Sequence, residues 1–255
     1  MNYLIILWII LACIIAYVIG STPFSVWIGN LATGKDLRDY NIGNPGGFNA
    51  IITYGAKVGL TITFLDILKG TISIVLADQI FNLDYFYIGG DNTNLWHSLA
   101  VILVPAFCIL GHNYTFWLKF QGGRGFGVIM GTLLYMNPLV YIVYMFSTAI
   151  QTQALKFPSR FANILSIFIV VPASFFMPLF PPWTTIGTLW ILGGTGYAFM
   201  VQGIVTLLMW IAILHRNWSG VIHAFTGKEW GFNALGGGQQ ISKDFETKKE
   251  AVDKE

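Results

Sequence analysis

The sequence predicts an all-α polytopic membrane protein: about seven transmembrane helices joined by glycine-rich cytoplasmic loops. Three observations carry that expectation. First, 55% of the 255 residues are hydrophobic and only 10% are charged, with a mean hydropathy of +0.64. A soluble domain carries about 25% charged residues, so this chain lacks the polar surface to face water. Second, apolar runs of bilayer-spanning length recur along the chain. Third, lysines and arginines collect between alternate runs, the asymmetry that orients spans in a membrane.

The first run, Tyr3 to Ile28, is interrupted by Gly20-Ser21-Thr22-Pro23. It begins without a basic segment and has no small-residue cleavage site, so it reads as a retained span rather than a signal peptide. A polar segment, Asn30 to Lys57, leads to a second run, Val58 to Ile80, which holds Asp66 and Lys69. The loop from Phe81 to Asn94 carries two aspartates and no basic residue, and Leu95 to Leu110 forms the next span. Phe126 to Ile150 reads as one span or as two short ones turning at Asn137-Pro138, because the residue before proline is biased out of the helical region. The last runs are Phe161 to Phe180 and, after Pro181-Pro182, Trp183 to Leu214.

Charge decides between the two readings of Phe126 to Ile150. With a turn at Pro138, one side of the membrane holds Lys35, Arg38 and Lys57, then Lys119 and Arg124, then Lys156 and Arg160, then Arg216, Lys228 and the tail lysines. The other side holds none, which predicts seven spans, an N-terminus outside and a cytoplasmic C-terminus. A helix from Phe126 to Met136 would rise only about 17 Å at 1.5 Å per residue, short of a roughly 30 Å hydrocarbon core. Residues 1–235 read as one membrane domain. Residues 236–255 read as a charged, solvated, disordered cytoplasmic tail. Cys13 and Cys108 lie in apolar runs and read as core residues.

The chain is organised around Gly111 to Gly127, where a polar loop joins two apolar runs and Gly122, Gly123, Gly125 and Gly127 surround Arg124. Glycines let successive backbone N–H groups converge on one point, the following helix start adds a positive dipole end, and Arg124 supplies a fork for phosphate or carboxylate. The alternative is a tight turn whose glycines only permit close packing. A second loop on the same face, Asn41 to Asn49, has Gly43, Asn44, Gly46 and Asn49 as amide and backbone donors. Its competing reading is a compact turn whose asparagines satisfy its own backbone. Asp66 and Lys69 share a helical face, either as a mutual ion pair or as a buttress for the loops. His112 and His215 sit at cytoplasmic span ends, suited to anchoring, phosphate contact or proton transfer. His97 and His223 have no informative neighbours in the sequence. No serine-hydrolase, zinc-protease or nucleotide-binding pattern occurs, and no metal, cofactor or nucleic acid is called for.

Four motifs then occur in order: Gly20-Ser21-Thr22-Pro23-Phe24, Gly43-Asn44-Pro45-Gly46 with Asn49, Asp66-Ile67-Leu68-Lys69-Gly70, and Gly111-His112 with Phe120-Gln121-Gly122-Gly123-Arg124-Gly125. Together they resemble the acyl-phosphate:glycerol-3-phosphate acyltransferase family of bacterial membranes (the PlsY family), from about Gly20 to Glu229. The resemblance implies seven spans in the plasma (inner) membrane and an active site in the cytoplasmic loops. It also implies transfer of a fatty acyl group from acyl phosphate to the 1-hydroxyl of glycerol 3-phosphate in phospholipid synthesis, beside membrane lipid and without a cofactor. Carried over residue by residue, it assigns phosphate binding to Arg124 with Gly122, Gly123 and Gly125, and an opposing wall to Gly43, Asn44, Gly46 and Asn49. His112 and His215 would orient substrate or stabilise the leaving phosphate, with Asn217, Lys69 and Arg216 completing the set.

The chain departs from the family pattern at three side chains: Ile42 stands for a serine, Ile52 for an arginine and Gln121 for a lysine. The stretch from His215 to Glu229 is two residues longer than usual. Either Arg124 with Lys35, Arg38 or Arg216 makes up the missing charge, or the acceptor differs, or the chain is a non-catalytic binder of an anionic lipid or solute.

Overall fold

In a computed structural model, residues 3–41, 43–81, 93–177 and 197–226 are described. Ile42, most of the loop after Phe81, the Pro181-Pro182 turn, Gly227-Lys228-Glu229 and the tail lie outside those residues, as does the His223 side chain. Every regular element among the described residues is helical, as expected.

Helix α1 (Tyr3–Ser21) ends where Pro23 opens α2 (Phe24–Thr33). Gly34, at φ +69°, closes α2 by donating its N–H to the Asn30 carbonyl, the left-handed stop that glycine adopts without a Cβ penalty. Helix α3 (Gly47–Tyr54) turns through Gly55 into α4 (Ala56–Ile80), and α5 (Thr93–Asn113) follows. Helix α6 (Phe126–Met136) is separated from α7 (Pro138–Ala149) by Asn137, which is extended and caps α7 by accepting from the Leu139 and Val140 N–H groups. The break predicted at Asn137-Pro138 is therefore present, with proline at the first helical position, where its missing N–H costs nothing. A π-turn, Ile150–Ala154, leads to α8 (Ser159–Leu165) and α9 (Ile167–Phe176), and α10 spans Tyr197–Thr226.

Five segments among the described residues are long and apolar enough to cross a bilayer: Tyr3–Thr33, Ala56–Ile80, Trp96–Leu118, Ser159–Phe176 and Met200–Ser219. Helices α6 and α7 are shorter, at 11 and 12 residues. Helix α6 has the bounds expected for the short segment, and its length is compensated by burial, with Val128, Ile129, Thr132, Leu133 and Met136 enclosed.

Two glycine-mediated pairings set the core. A Cβ on Gly20 of α1 would sit 2.0 Å from the Cys108 carbonyl of α5, and one on Gly111 would sit 2.1 Å from the Tyr17 carbonyl. Likewise, a Cβ on Gly70 of α4 would sit 2.0 Å from the Val128 carbonyl of α6, and one on Gly131 would sit 1.8 Å from the Ile67 carbonyl. In lipid, where burial of apolar surface gives little drive to associate, close backbone approach at small residues supplies much of the packing energy. At the Asp78 end of α4, His97 Nε2 lies 3.0 Å from Asp78 Oδ1, and Tyr135 Oη donates to Asp78 Oδ2 at 2.7 Å. His97, uninformative in the sequence, thus ties α5 to α4 and α6.

Candidate active site

The α4–α6 pairing brings the N-terminus of α6 alongside Asp66, and α3 packs on α4 one turn away. Between them opens a cavity of 410 Å³. One wall consists of Asn44, Gly46, Gly47, Phe48 and Asn49; a second of Arg124, Gly125, Phe126 and Gly127, with His112 and Asp66 at the base. The third wall is contributed by α7, the π-turn and α8, and includes Tyr144, Met145, Ala149 and Arg160.

The central loop is built from both sides. Gly122 N–H donates to the Asn113 carbonyl and Gly123 N–H to the His112 carbonyl, each at 3.0 Å. These bonds satisfy carbonyls left over at the end of α5. From α10, Arg216 Nη2 donates to the Gly122 carbonyl at 2.9 Å, and Asn217 Nδ2 to the Arg124 carbonyl at 3.2 Å. Gly125, at φ +84°, then turns the chain into α6, whose N-terminus has no side-chain cap. The first-turn N–H groups of α6 are thus left to the cavity, a position suited to an anion.

The Asn41–Asn49 loop is held by its own amides. Asn41 Nδ2 donates to Asn49 Oδ1 and to Thr53 Oγ1, both at 2.9 Å. Asn49 Nδ2 reaches the carbonyls of Leu37, Tyr40 and Asn44 at 3.0–3.2 Å. This network fixes α3, whose N-terminus at Gly46 also lacks a side-chain cap, so that it too faces the cavity. Outside the spans, Asp36 caps the turn Leu37–Asp39, and Arg38, hydrogen-bonded to its carboxylate, holds the Asp36 carboxyl below its ordinary range.

At the base, Lys69 Nζ lies 2.8 Å from Asp66 Oδ1 and donates to the Thr22 carbonyl at 2.5 Å, 4.8 Å from the centre of the Phe24 ring. His112 Nδ1 stands 3.7 Å from the same Asp66 oxygen. Gly123 abuts the Nε2 edge of that imidazole: a Cβ there would be 2.1 Å from His112 Nε2.

The structure brings His112, Arg124, Gly125, Asn44, Gly46 and Asn49 together around one cavity. It does not bring the other seven expected residues there. Gly122 and Gly123 donate their N–H groups to carbonyls of α5 and, with Lys69, line a small adjoining pocket that shares Asp66 and His112 with the cavity. Lys69 lies behind Asp66 as its ion partner, 3% exposed, rather than at the cavity wall. Gly43, at φ +61°, is a turn residue. Arg216 and Asn217 clamp the loop through its carbonyls, and exposed His215 sits outside the cavity with Nδ1 2.6 Å from Tyr114 Oη.

Sequence reading missed the α7–α8 wall. Arg160 entered only as a topological charge, although Pro158-Ser159-Arg160 is a polar segment on the same face as the two glycine loops. That shared face was the available signal.

Compared with known proteins, residues 10–225 match the model of the family described as glycerol-3-phosphate acyltransferase. The chain belongs to that family. A glycerol-3-phosphate acyltransferase of Bacillus cereus strain G9842 is 36% identical over 160 residues, covering 63% of this chain and 71% of the relative. One from Listeria monocytogenes serotype 4a strain HCC23 is 32% identical over 151 residues, covering 59% and 70%. The fold is that of PlsY (YgiH), an integral membrane glycerol 3-phosphate acyltransferase. Its glycerol 3-phosphate form superposes with a TM-score of 0.64 at 23% identity, over 89% of this chain and 96% of that one. The protein is thus a multi-pass membrane protein of an acyltransferase family.

Proposed function

We propose that this acyltransferase moves a fatty acyl group from acyl phosphate to the 1-hydroxyl of glycerol 3-phosphate, giving lysophosphatidate and phosphate for phospholipid synthesis. One observation carries the reading: two uncapped helix N-termini and Arg124 meet an apolar wall in a single cavity. That combination suits two phosphorylated substrates, one of them greasy.

The acceptor's phosphate binds at Arg124 between the starts of α3 and α6, with the Asn44 amide beside it. The acyl chain lies along Met130, Tyr144, Met145 and Ala149. His112, backed by Asp66, orients the acceptor hydroxyl. The hydroxyl oxygen attacks the acyl carbonyl carbon, the carbon–oxygen bond to phosphate breaks, and the hydroxyl proton leaves with the departing phosphate. Acyl phosphate is already activated, so positioning and charge stabilisation suffice without a covalent enzyme intermediate. Lys69, Asn217 and Arg216 act by holding Asp66 and the loop. The reaction face is cytoplasmic and the membrane the plasma membrane, with the N-terminus outside, residues 1–235 as the membrane domain and 236–255 as a solvated tail.

The test is phosphate release by the purified protein in lipid, given palmitoyl phosphate with and without glycerol 3-phosphate. The expected result is release that depends on glycerol 3-phosphate, with lysophosphatidate formed. Breakdown of palmitoyl phosphate regardless of glycerol 3-phosphate would replace the acceptor in this reading, and no turnover would make the chain a binder.

A further inference from the structure

Three cations were candidates to replace the arginine and lysine that Ile52 and Gln121 displace, and none of them lines the cavity. Arg38 is paired with Asp36 at 2.6 Å, Lys35 is exposed over the Tyr40 ring, and Arg216 is bound to the Gly122 carbonyl. A fourth cation, the guanidinium of Arg160, does line it, on the wall formed by α7, the π-turn and α8.

We propose that Arg160 is the second phosphate-binding cation of this site and takes the phosphate of the acyl donor. The inference rests on the reaction proposed above. It follows from where Arg160 stands and from the shape of the donor. An acyl phosphate carries its phosphate directly on the carbonyl that ends the alkyl chain. Its anionic group therefore lies where an apolar wall meets a cation, not across the cavity from that wall. Arg160 shares its wall with Tyr144, Met145 and Ala149, whereas Arg124 stands with the polar starts of α3 and α6, which suit the small, water-soluble acceptor.

Arg160 is aimed by α10: its Nη1 donates to Ser219 Oγ at 3.1 Å. A guanidinium stays charged at every working pH and presents a planar fork matched to phosphate. Two phosphate groups close enough for acyl transfer repel each other, and a separate guanidinium for each offsets that repulsion while keeping them apart. The same α10 thus fixes both cations, Arg124 through Asn217 on its carbonyl and Arg160 through Ser219.

The experiment compares Arg160→Gln, Arg160→Lys and Arg124→Gln with the wild-type protein in lipid nanodiscs, varying palmitoyl phosphate and glycerol 3-phosphate independently. Losing one charge-assisted phosphate contact predicts that Arg160→Gln raises KM for palmitoyl phosphate about tenfold or more and leaves KM for glycerol 3-phosphate within about twofold. Arg124→Gln should show the opposite split, and Arg160→Lys should recover part of the donor affinity. Equilibrium binding of palmitoyl phosphate without acceptor, to wild-type and Arg160→Gln protein, decides the point independently of turnover. Equal affinity, or a rise confined to the glycerol 3-phosphate KM, would overturn the proposal. Absence of turnover by the wild-type protein would refute the reaction, while a loss of palmitoyl phosphate binding in Arg160→Gln would still uphold Arg160.

Discussion

Lys69 discriminates sharply between a ligand-binding and a structural cation. Its side chain is 3% exposed and that of Asp66 6%, with Nζ and Oδ1 at 2.8 Å, so both charges have left solvent. Removing one partner of such a pair leaves an uncompensated buried charge and costs about 3–5 kcal/mol, whereas neutralising both is often harmless or stabilising. Lys69→Met keeps most of the stem against Phe24 and removes the ammonium, so it should lose about 3–5 kcal/mol of unfolding free energy. Adding Asp66→Asn, which preserves shape and removes the stranded charge, should recover most of that loss. The assay is reversible unfolding in mixed detergent micelles, with steady-state kinetics on the same preparations. A substrate-binding Lys69 would instead raise KM while the protein unfolded normally. Two results would refute the ion-pair argument: Lys69→Met within about 1 kcal/mol of wild type, or a double variant as unstable as the single one.

Four further outcomes follow from particular contacts. Arg124→Ala should lower kcat/KM for glycerol 3-phosphate by about 100-fold or more in the coupled lipid assay, as loss of a preorganised charged donor does. Gly123→Ala must displace the His112 imidazole, since the new methyl would sit 2.1 Å from Nε2; it should cost about 1–3 kcal/mol in unfolding, and far less in a His112→Ala background. Gly131→Ala meets backbone rather than a side chain, the Ile67 carbonyl at 1.8 Å, so it should separate α4 from α6 and lower the melting temperature without rescue by side-chain truncation. Asp36 has its pKa lowered by the Arg38 hydrogen bond, so its stabilising effect is full above the ordinary carboxyl value and fades as pH falls through the depressed one. Asp36→Asn should accordingly leave melting unchanged within about 1 kcal/mol above pH 5, the pair being surface-exposed, with the difference from wild type vanishing at lower pH.

How much of the site could be read in advance depended on where the information resides. Arg124 and Asn44 lie in short polar segments between apolar runs, and their displacement from the lipid-compatible pattern marks them in one dimension. The glycine loops were legible as special, but their two uses were not separable. A glycine whose N–H faces a ligand and one whose N–H closes a helix end have the same letter and the same spacing. Only the approach of α5 shows that Gly122 and Gly123 are of the second kind. Asn49 similarly proved to be both cavity wall and internal brace.

The sequence by itself determined the solvent of this protein, the helical class, the break at Asn137-Pro138, the short α6 and the helical face that Asp66 and Lys69 share. Each follows from local rules: hydropathy over a window, proline geometry, and the three-residue spacing of a helical face. The tertiary structure alone decided which cations share a cavity. In the sequence Arg38, Arg216, Arg124 and Arg160 read as equivalent charges between apolar runs, yet the first is tied to its neighbour, the second to a loop carbonyl, and the last two line one cavity of 410 Å³. That outcome depends on how α8 and α10 pack beside α6, through contacts such as Arg160 with Ser219 that bridge residues 59 apart in the chain. No local pattern encodes a distance of that kind, because helix packing fixes it only after every span has found its neighbour.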